Sequence, residues 1–385
     1  MWVMMETAVI GAAARTRWAE HTSWQGAVRR MEIPGGHKVW VIAGYDEVST
    51  LLADPRLSVD KQHALDGYTG FALPPALDRN LLNMDGDQHF RIRKLAAPAF
   101  SRRSADRLRS AVDRIAADVF ASLPENDSTA VDLLDRLCAP VPAIVIGDLL
   151  GVPADLYPDL RDAATAMFTA DTASPESALR LKKAIGWLTA TFAALIDTKR
   201  AAPGDDLISG WIRAGDDDGS LTPDELVSLA FLMMMAGMEN AVHSCANIIT
   251  ALLISGSGST ATADWQARRS KLIEQANPMP FAFRRFAVTD LVVRETTIPK
   301  GDTVLLSLFG ADADPARGDR PSLLFGRGPH YCLGAQAADL IIDAVVPGFF
   351  ARYPRARLAV AESDLVYRQS WRSHGLLSLP VQLVP

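Results

Sequence analysis

Helical spacing of apolar residues dominates this chain, and strand-like alternation is confined to short stretches. Between 105 and 123 the apolar positions Leu108, Val112, Ile115, Val119 and Phe120 recur every three or four residues, which predicts an amphipathic helix. The same spacing predicts helices over 132–150, 155–170 and 176–200, the last one stopped by Ala201-Ala202-Pro203-Gly204. Thr222-Pro223-Asp224-Glu225 has the form of a capping box with proline at the first helical position. It opens a long apolar run from 224 to 253, and a helix apolar on nearly every side belongs in the middle of a fold. His37-Lys38-Val39-Trp40-Val41-Ile42-Ala43-Gly44 is β-rich and ends on glycine, so it predicts a strand, with a short helix over 45–54 behind it. From 58 to 82 the periodicity fades among Gly67, Gly70, Pro74 and Pro75, which predicts a long irregular loop. No internal repeat or long Pro/Ser-rich linker divides the chain. The expectation is one domain over 1–385, mainly α with small β-sheets (α+β).

Composition narrows the function classes. The 49% apolar content suits a well-filled core, and the formal net charge of −6 gives no basic field, which argues against a nucleic-acid partner. The three cysteines, Cys138, Cys245 and Cys332, lie far apart with no CxxC pair, against both a disulfide framework and a zinc site. Met1-Trp2-Val3-Met4-Met5-Glu6 has no basic region leading into an apolar run, and no stretch reaches the ~20 apolar residues of a bilayer span. A soluble, cytoplasmic protein with no membrane partner is expected. Gly215-Asp216-Asp217-Asp218-Gly219 lacks the alternating ligands of a calcium loop and reads as a solvated turn.

Candidate chemistry concentrates in three places. Phe325-Gly326-Arg327-Gly328-Pro329-His330-Tyr331-Cys332-Leu333-Gly334 holds a cysteine among glycines that allow tight turns and close approach of a flat group. A thiolate is a strong donor to a soft or borderline metal, and a helix beginning after Gly334 would place its N-terminal amides beside the sulfur. Met84-Asp85-Gly86-Asp87-Gln88-His89-Phe90-Arg91-Ile92-Arg93 gathers His89, Arg91 and Arg93 at a helix start, a grouping suited to carboxylates. Inside the long apolar run, Ala236-Gly237-Met238-Glu239-Asn240 brings an acid and an amide into a core helix, where they are costly unless used or paired.

The cysteine stretch resembles the haem-binding loop of the cytochrome P450 family, Phe-Gly-x-Gly-x-His/Arg-x-Cys-x-Gly, with every fixed position filled. The resemblance spans essentially the whole chain and is weakest between about 255 and 322. It implies the cytochrome P450 fold and a haem b (iron protoporphyrin IX) contacted by Phe325, Gly326, His330 and Gly334, with Cys332 as the iron ligand. It further implies that His89, Arg93 and Arg285 hold the haem propionates. Ala236, Gly237, Glu239 and Asn240 then form the oxygen-side site, where the family's helix opens locally. Asn240 stands where the family has a threonine that helps relay protons, so Glu239 and water become the expected proton route.

A second departure follows the long helix. Glu274-Gln275-Ala276-Asn277 lacks the arginine of the family's Glu-x-x-Arg motif, and from Pro315 the chain reaches Phe325 in only ten residues, a shortened meander. The expectation is that the Glu-Arg-Arg network has been dropped as a unit, leaving Glu274 exposed or bonded to neutral donors. By resemblance the activity is oxygen-dependent oxidation of a small organic molecule, in bacterial natural-product (secondary metabolite) biosynthesis, with dioxygen as co-substrate. Ferredoxin and ferredoxin reductase would supply electrons. Met234, Met235, Met238, Phe168, Phe281 and Phe283 are the substrate-pocket candidates. The rival readings are a haem-thiolate enzyme that couples, rearranges or dehydrates without oxygen insertion, and a non-catalytic P450-like helper.

Overall fold

The computed structural model describes residues 23–24, 26–33, 36–65, 73–100, 105–124, 127–168, 174–218, 221–261, 263–368 and 370–384. Residues 1–22 and part of the predicted 58–82 loop lie outside them.

Helices make the body. The long helix runs Pro223–Ile254 behind the predicted capping box: the Glu225 amide donates to Thr222 Oγ1 at 3.2 Å, and the Thr222 amide donates to Glu225 Oε2 at 2.9 Å. It packs against Pro75–Asp78, Pro140–Leu150, Pro175–Ala201 and Ala335–Arg352. It is the one helix among the described residues long and apolar enough to cross a membrane, but 78% of its most apolar window is buried within the fold. Burial on all sides accounts for the apolar sequence.

Two clusters of buried side chains flank this helix. One joins Val112, Ile115, Cys245, Ile249, Val345 and Phe349; the other joins Ile146, Leu188, Phe192, Leu229, Met234 and Trp211. The predicted helices over 105–123, 155–170 and 176–200 appear as Ala105–Ala121, Tyr157–Phe168 and Pro175–Ala201. The acidic run predicted as a turn continues the helix Leu207–Asp218.

The segment 132–150 differs. Asp127–Asp132 is a strand paired with Pro380–Leu383, a π-turn follows at Leu134–Cys138, and the helix begins only at Pro140. Asp132 decides this: its Oδ1 accepts from the amides of Leu134 (3.0 Å) and Leu379 (2.9 Å), tying the turn to the chain's end.

The main sheet has five strands. Val28–Ile33 and His37–Ile42 form a hairpin; His37–Ile42 lies parallel to Thr303–Leu306, which pairs antiparallel with Arg285–Ala287, itself paired with Leu57–Ser58. Parallel neighbours need a long crossover, and here the helical body is that crossover. The pairing also brings Arg285, distant in sequence from the first strands, next to the start of the Gly86–Ala96 helix.

Candidate active site

The cysteine loop is shaped by two left-handed glycines, Gly326 and Gly328, both at φ 73°. At Gly328 a Cβ would also come within 2.7 Å of Ala53 Cβ, so the position needs glycine for space as well as for conformation. The Cys332 amide donates to Phe325 O at 2.9 Å and closes the loop, and the helix Ala335–Arg352 starts directly behind Gly334. Cys332 keeps a surface open on one side. The protein packed around its sulfur pushes the thiol above its ordinary range; the Gly334 N–H and the nearby Arg93 charge act the other way. These are the groups a thiolate needs once a metal cation takes over the proton's place.

Three basic side chains, His89, Arg93 and Arg285, join the loop's own His330. His89 sits on the helix Gly86–Ala96 with its ring 4.3 Å from the ring of His330. Arg93, one turn further, donates to Tyr331 O at 2.6 Å. Arg285 enters from the sheet and is 4% exposed. His330 Nε2 lies 2.8 Å from Asp85 Oδ1. Burial alone would raise the Asp85 carboxyl, but hydrogen bonds from His330, Ser58 and the Val59 amide outweigh it and hold it well below the usual range. Burial, with the charges of His330 and Arg93, pulls His89 down to about 4, and burial pulls Arg285 down to about 10.

Two buried donors here, His89 Nε2 and Arg285 Nε, have no hydrogen-bond partner among the described residues. Each such group costs about 1–3 kcal/mol, so a fold that keeps them beside an open cysteine is prepared for an acidic ligand. The two propionates of haem b, with the iron at Cys332 Sγ, match this donor set, and the residues present fit the group.

The opposite wall is the long helix. Glu239 is buried and Ala236 exposed, with Gly237 and Asn240 half-buried. The expected local opening is not seen: the helix is continuous from Pro223 to Ile254. Gly237 serves packing instead, since a Cβ there would come within 2.9 Å of Ile146. Asn240 Nδ2 reaches back to Ala236 O at 3.4 Å. Glu239 accepts a hydrogen bond from Arg368 Nη1, a partner 129 residues away that the sequence analysis missed; no periodic signal links the two.

The pocket candidates divide. Met234, Met235 and Met238 belong to the core cluster, and Met234, at 0% exposed, cannot touch a substrate unless it moves. Phe168 is half-buried against the same cluster. Phe281 stacks on Trp24 at 6.3 Å and meets Trp371 edge-on at 6.1 Å, in a separate cluster under the sheet. Phe283 is exposed under the Arg284 guanidinium, 4.6 Å from its ring centroid. The six are not brought to one wall.

The expectation for Glu274 is overturned. Arg317, in the turn Pro315–Arg317, grips both its oxygens: Nη2 to Oε1 and Nη1 to Oε2, each 2.9 Å, with side chains only 15% and 20% exposed. Arg317 also donates to Asp312 O at 3.2 Å, and the Asp312 carboxylate accepts from Ser322 Oγ and, at 2.8 Å, from the Leu323 amide just before the cysteine loop. Asn277 instead bonds locally, its Oδ1 accepting from the Met279 amide at 3.0 Å. A shortened meander still delivers its arginine, because proline and the Asp314 cap on the Ala316 amide turn the chain back within one 3-10 turn.

Comparison with known proteins agrees with this geometry. No family model matches the chain. Among curated proteins it is 33% identical over 374 residues to cytochrome P450 monooxygenase PikC of Streptomyces venezuelae, covering 93% of this chain and 88% of that protein. It is 32% identical over 374 residues to vitamin D(3) 25-hydroxylase of Pseudonocardia autotrophica (93% and 91% covered). With 6-deoxyerythronolide B hydroxylase of Saccharopolyspora erythraea it shares 31% over 373 residues (90% and 91% covered). The structure of the tirandamycin C-bound P450 monooxygenase TamI superposes with a TM-score of 0.85 at 33% identity, covering 95% of this chain and 96% of that one. With an intact cysteine loop, a propionate-ready cluster above it and this degree of likeness along nearly its whole length, the chain belongs to the cytochrome P450 family.

Proposed function

We propose that this monooxygenase acts in bacterial natural-product biosynthesis, inserting one atom of dioxygen into a small organic molecule with electrons from a separate ferredoxin and its reductase. The relatives that support this are bacterial monooxygenases and hydroxylases, among them a 6-deoxyerythronolide B hydroxylase and a mycinamicin IV hydroxylase/epoxidase. The cofactor is haem b. When bound, haem supplies an iron centre at which dioxygen is reduced, with two electrons and two protons yielding hydroxylated product and water.

The chain, read as one domain over 1–385, contributes the rest. Cys332 Sγ would hold the haem iron, with the Gly334 N–H supporting its charge. His89, Arg93, Arg285 and His330 bind the two propionates, and Phe325, Gly326 and Gly334 shape the loop around the ring. On the other wall Ala236 leaves space, Asn240 orients a water or a substrate group, and Glu239 serves the proton supply.

The observation that carries the reading is the pair of orphaned buried donors, His89 Nε2 and Arg285 Nε, above an open cysteine. The test is turnover under ¹⁸O₂ with ferredoxin, reductase and nicotinamide cofactor, on compounds chosen by a substrate-induced spin-shift screen. Product carrying one labelled oxygen is expected. Product without label would replace insertion by coupling or rearrangement.

A further inference from the structure

The long helix carries a polar stripe at four-residue spacing, Glu239, His243 and Asn247, all buried, and this spacing puts them on one face. All three meet one segment near the chain's end, of which 366–368 and 370–377 are described. That segment is a narrow hairpin: the Arg368 amide donates to Gly375 O at 2.9 Å, the Leu377 amide donates to Val366 O at 2.9 Å, and Tyr367 bridges to Leu376. Asn247 Nδ2 donates to His374 O at 2.9 Å and to Ala276 O at 3.1 Å, which docks the hairpin backbone on the helix. Gly375 lies so close to His243 that a Cβ would come within 2.3 Å of Nδ1. Trp371, in the same hairpin, leans on Phe281.

Backbone bonding and close packing already dock the hairpin, and neither needs a charge. Arg368 brings one nonetheless. Its side chain is only 11% exposed, a costly placement for a guanidinium unless it is paired, and it is spent on Glu239, whose side chain is 10% exposed. Burial pulls Arg368 down only to about 10, so it remains a cation near neutral pH. His243 Nε2 stands 3.4 Å from the same carboxylate oxygen without hydrogen-bond geometry, and burial pulls it down to about 4, so near neutral pH it adds no second charge.

We propose that Arg368 is a positioning residue for the oxygen-side acid. Its guanidinium, carried in by the C-terminal hairpin, fixes the orientation of the Glu239 side chain one residue before Asn240. There it takes a proton from water and returns it toward the reacting side only in that fixed orientation. Proton supply thus depends on a residue remote in sequence from every motif of the family. This rests on the monooxygenase reading above.

The test uses haem-loaded Arg368→Gln, Arg368→Lys, Glu239→Gln and the Arg368→Gln/Glu239→Gln double variant. Dithionite-reduced protein is mixed with dissolved oxygen and reduced ferredoxin, which supplies the second electron, in H2O and in D2O, and its reoxidation followed without added substrate. We expect Arg368→Gln and Glu239→Gln each to slow reoxidation, toward the roughly hundredfold that a positioned proton-transfer group contributes, with a raised solvent isotope effect. The double variant should be no slower than either single one, and Arg368→Lys should recover most of the rate by keeping the charge. Wild-type rate and isotope effect in Arg368→Gln, or slowing in the double variant equal to the product of the two single effects, would overturn the proposal. A missing ferrous–CO thiolate band in the wild-type protein would strike instead at the haem reading. Should Arg368→Gln fail to fold, Arg368→Met, which keeps the stem without the charge, takes its place in the same comparison.

Discussion

The two walls of the site are made in different ways. The cysteine wall is local: ten consecutive residues supply the sulfur, the turns and the amide beside it, and its geometry follows from glycines at 326 and 328. The proposed oxygen wall is one stretch of an unbroken helix, and its chemistry depends on what packs against it. Glu239 owes its charge partner to residue 368, and Gly237 owes its identity to Ile146. A motif can therefore be read with confidence where its neighbours in space are its neighbours in sequence. Where they are not, the same letters can stand for different devices.

This contrast can be broken first at the cysteine itself. Cys332→Ser is expected to abolish the red-shifted ferrous–CO Soret band entirely, even in protein that retains haem; a surviving band would move the ligand elsewhere. The support beneath the loop comes next. The Arg317–Glu274 pair is partly buried, between the ~0–1 kcal/mol of exposed pairs and the roughly 3–5 kcal/mol of breaking a fully buried one. Arg317→Ala should thus cost about 2–3 kcal/mol in denaturant unfolding of the holoprotein. A change under 0.5 kcal/mol would return Glu274 to a neutral role. Arg285→Ala should then speed haem transfer to an acceptor protein tenfold or more, since a charge-assisted bond contributes roughly 1.5–3 kcal/mol. Unchanged transfer would take Arg285 out of the propionate site.

The oxygen wall should give the smallest effect of the four. Asn240→Thr replaces one half-buried hydrogen-bonding side chain by another, so haem content and the ferrous–CO band should stay as they are, with product yield per electron changing by a few-fold at most. A collapse of haem binding would show that the two walls are not separable.

Much of the helical plan was legible because apolar spacing and caps are local signals. The Thr222-Pro223-Asp224-Glu225 box marked where the long helix starts, and the helix after Gly334 lies where the sequence placed it. The segment 132–150 was misread because Asp132 answers to Leu379, far along the chain, rather than to its own helix periodicity. Glu274 was misread for a similar reason. The missing arginine at 277 suggested a lost network, while Arg317 approaches from another turn and forms the pair.

By itself the sequence determined that Cys332 sits in a tight glycine loop, that His89 and Arg93 gather on one helix turn, and that one apolar helix runs through the core. These depend on backbone conformation and side-chain spacing within a few residues. Only the tertiary structure decided that Arg317 replaces the absent arginine and that Arg368 clamps Glu239. The reason is physical. A charge buried in a protein must be paired, but the pairing constrains only distance in space, and residues 43 or 129 positions apart satisfy it as well as neighbours do.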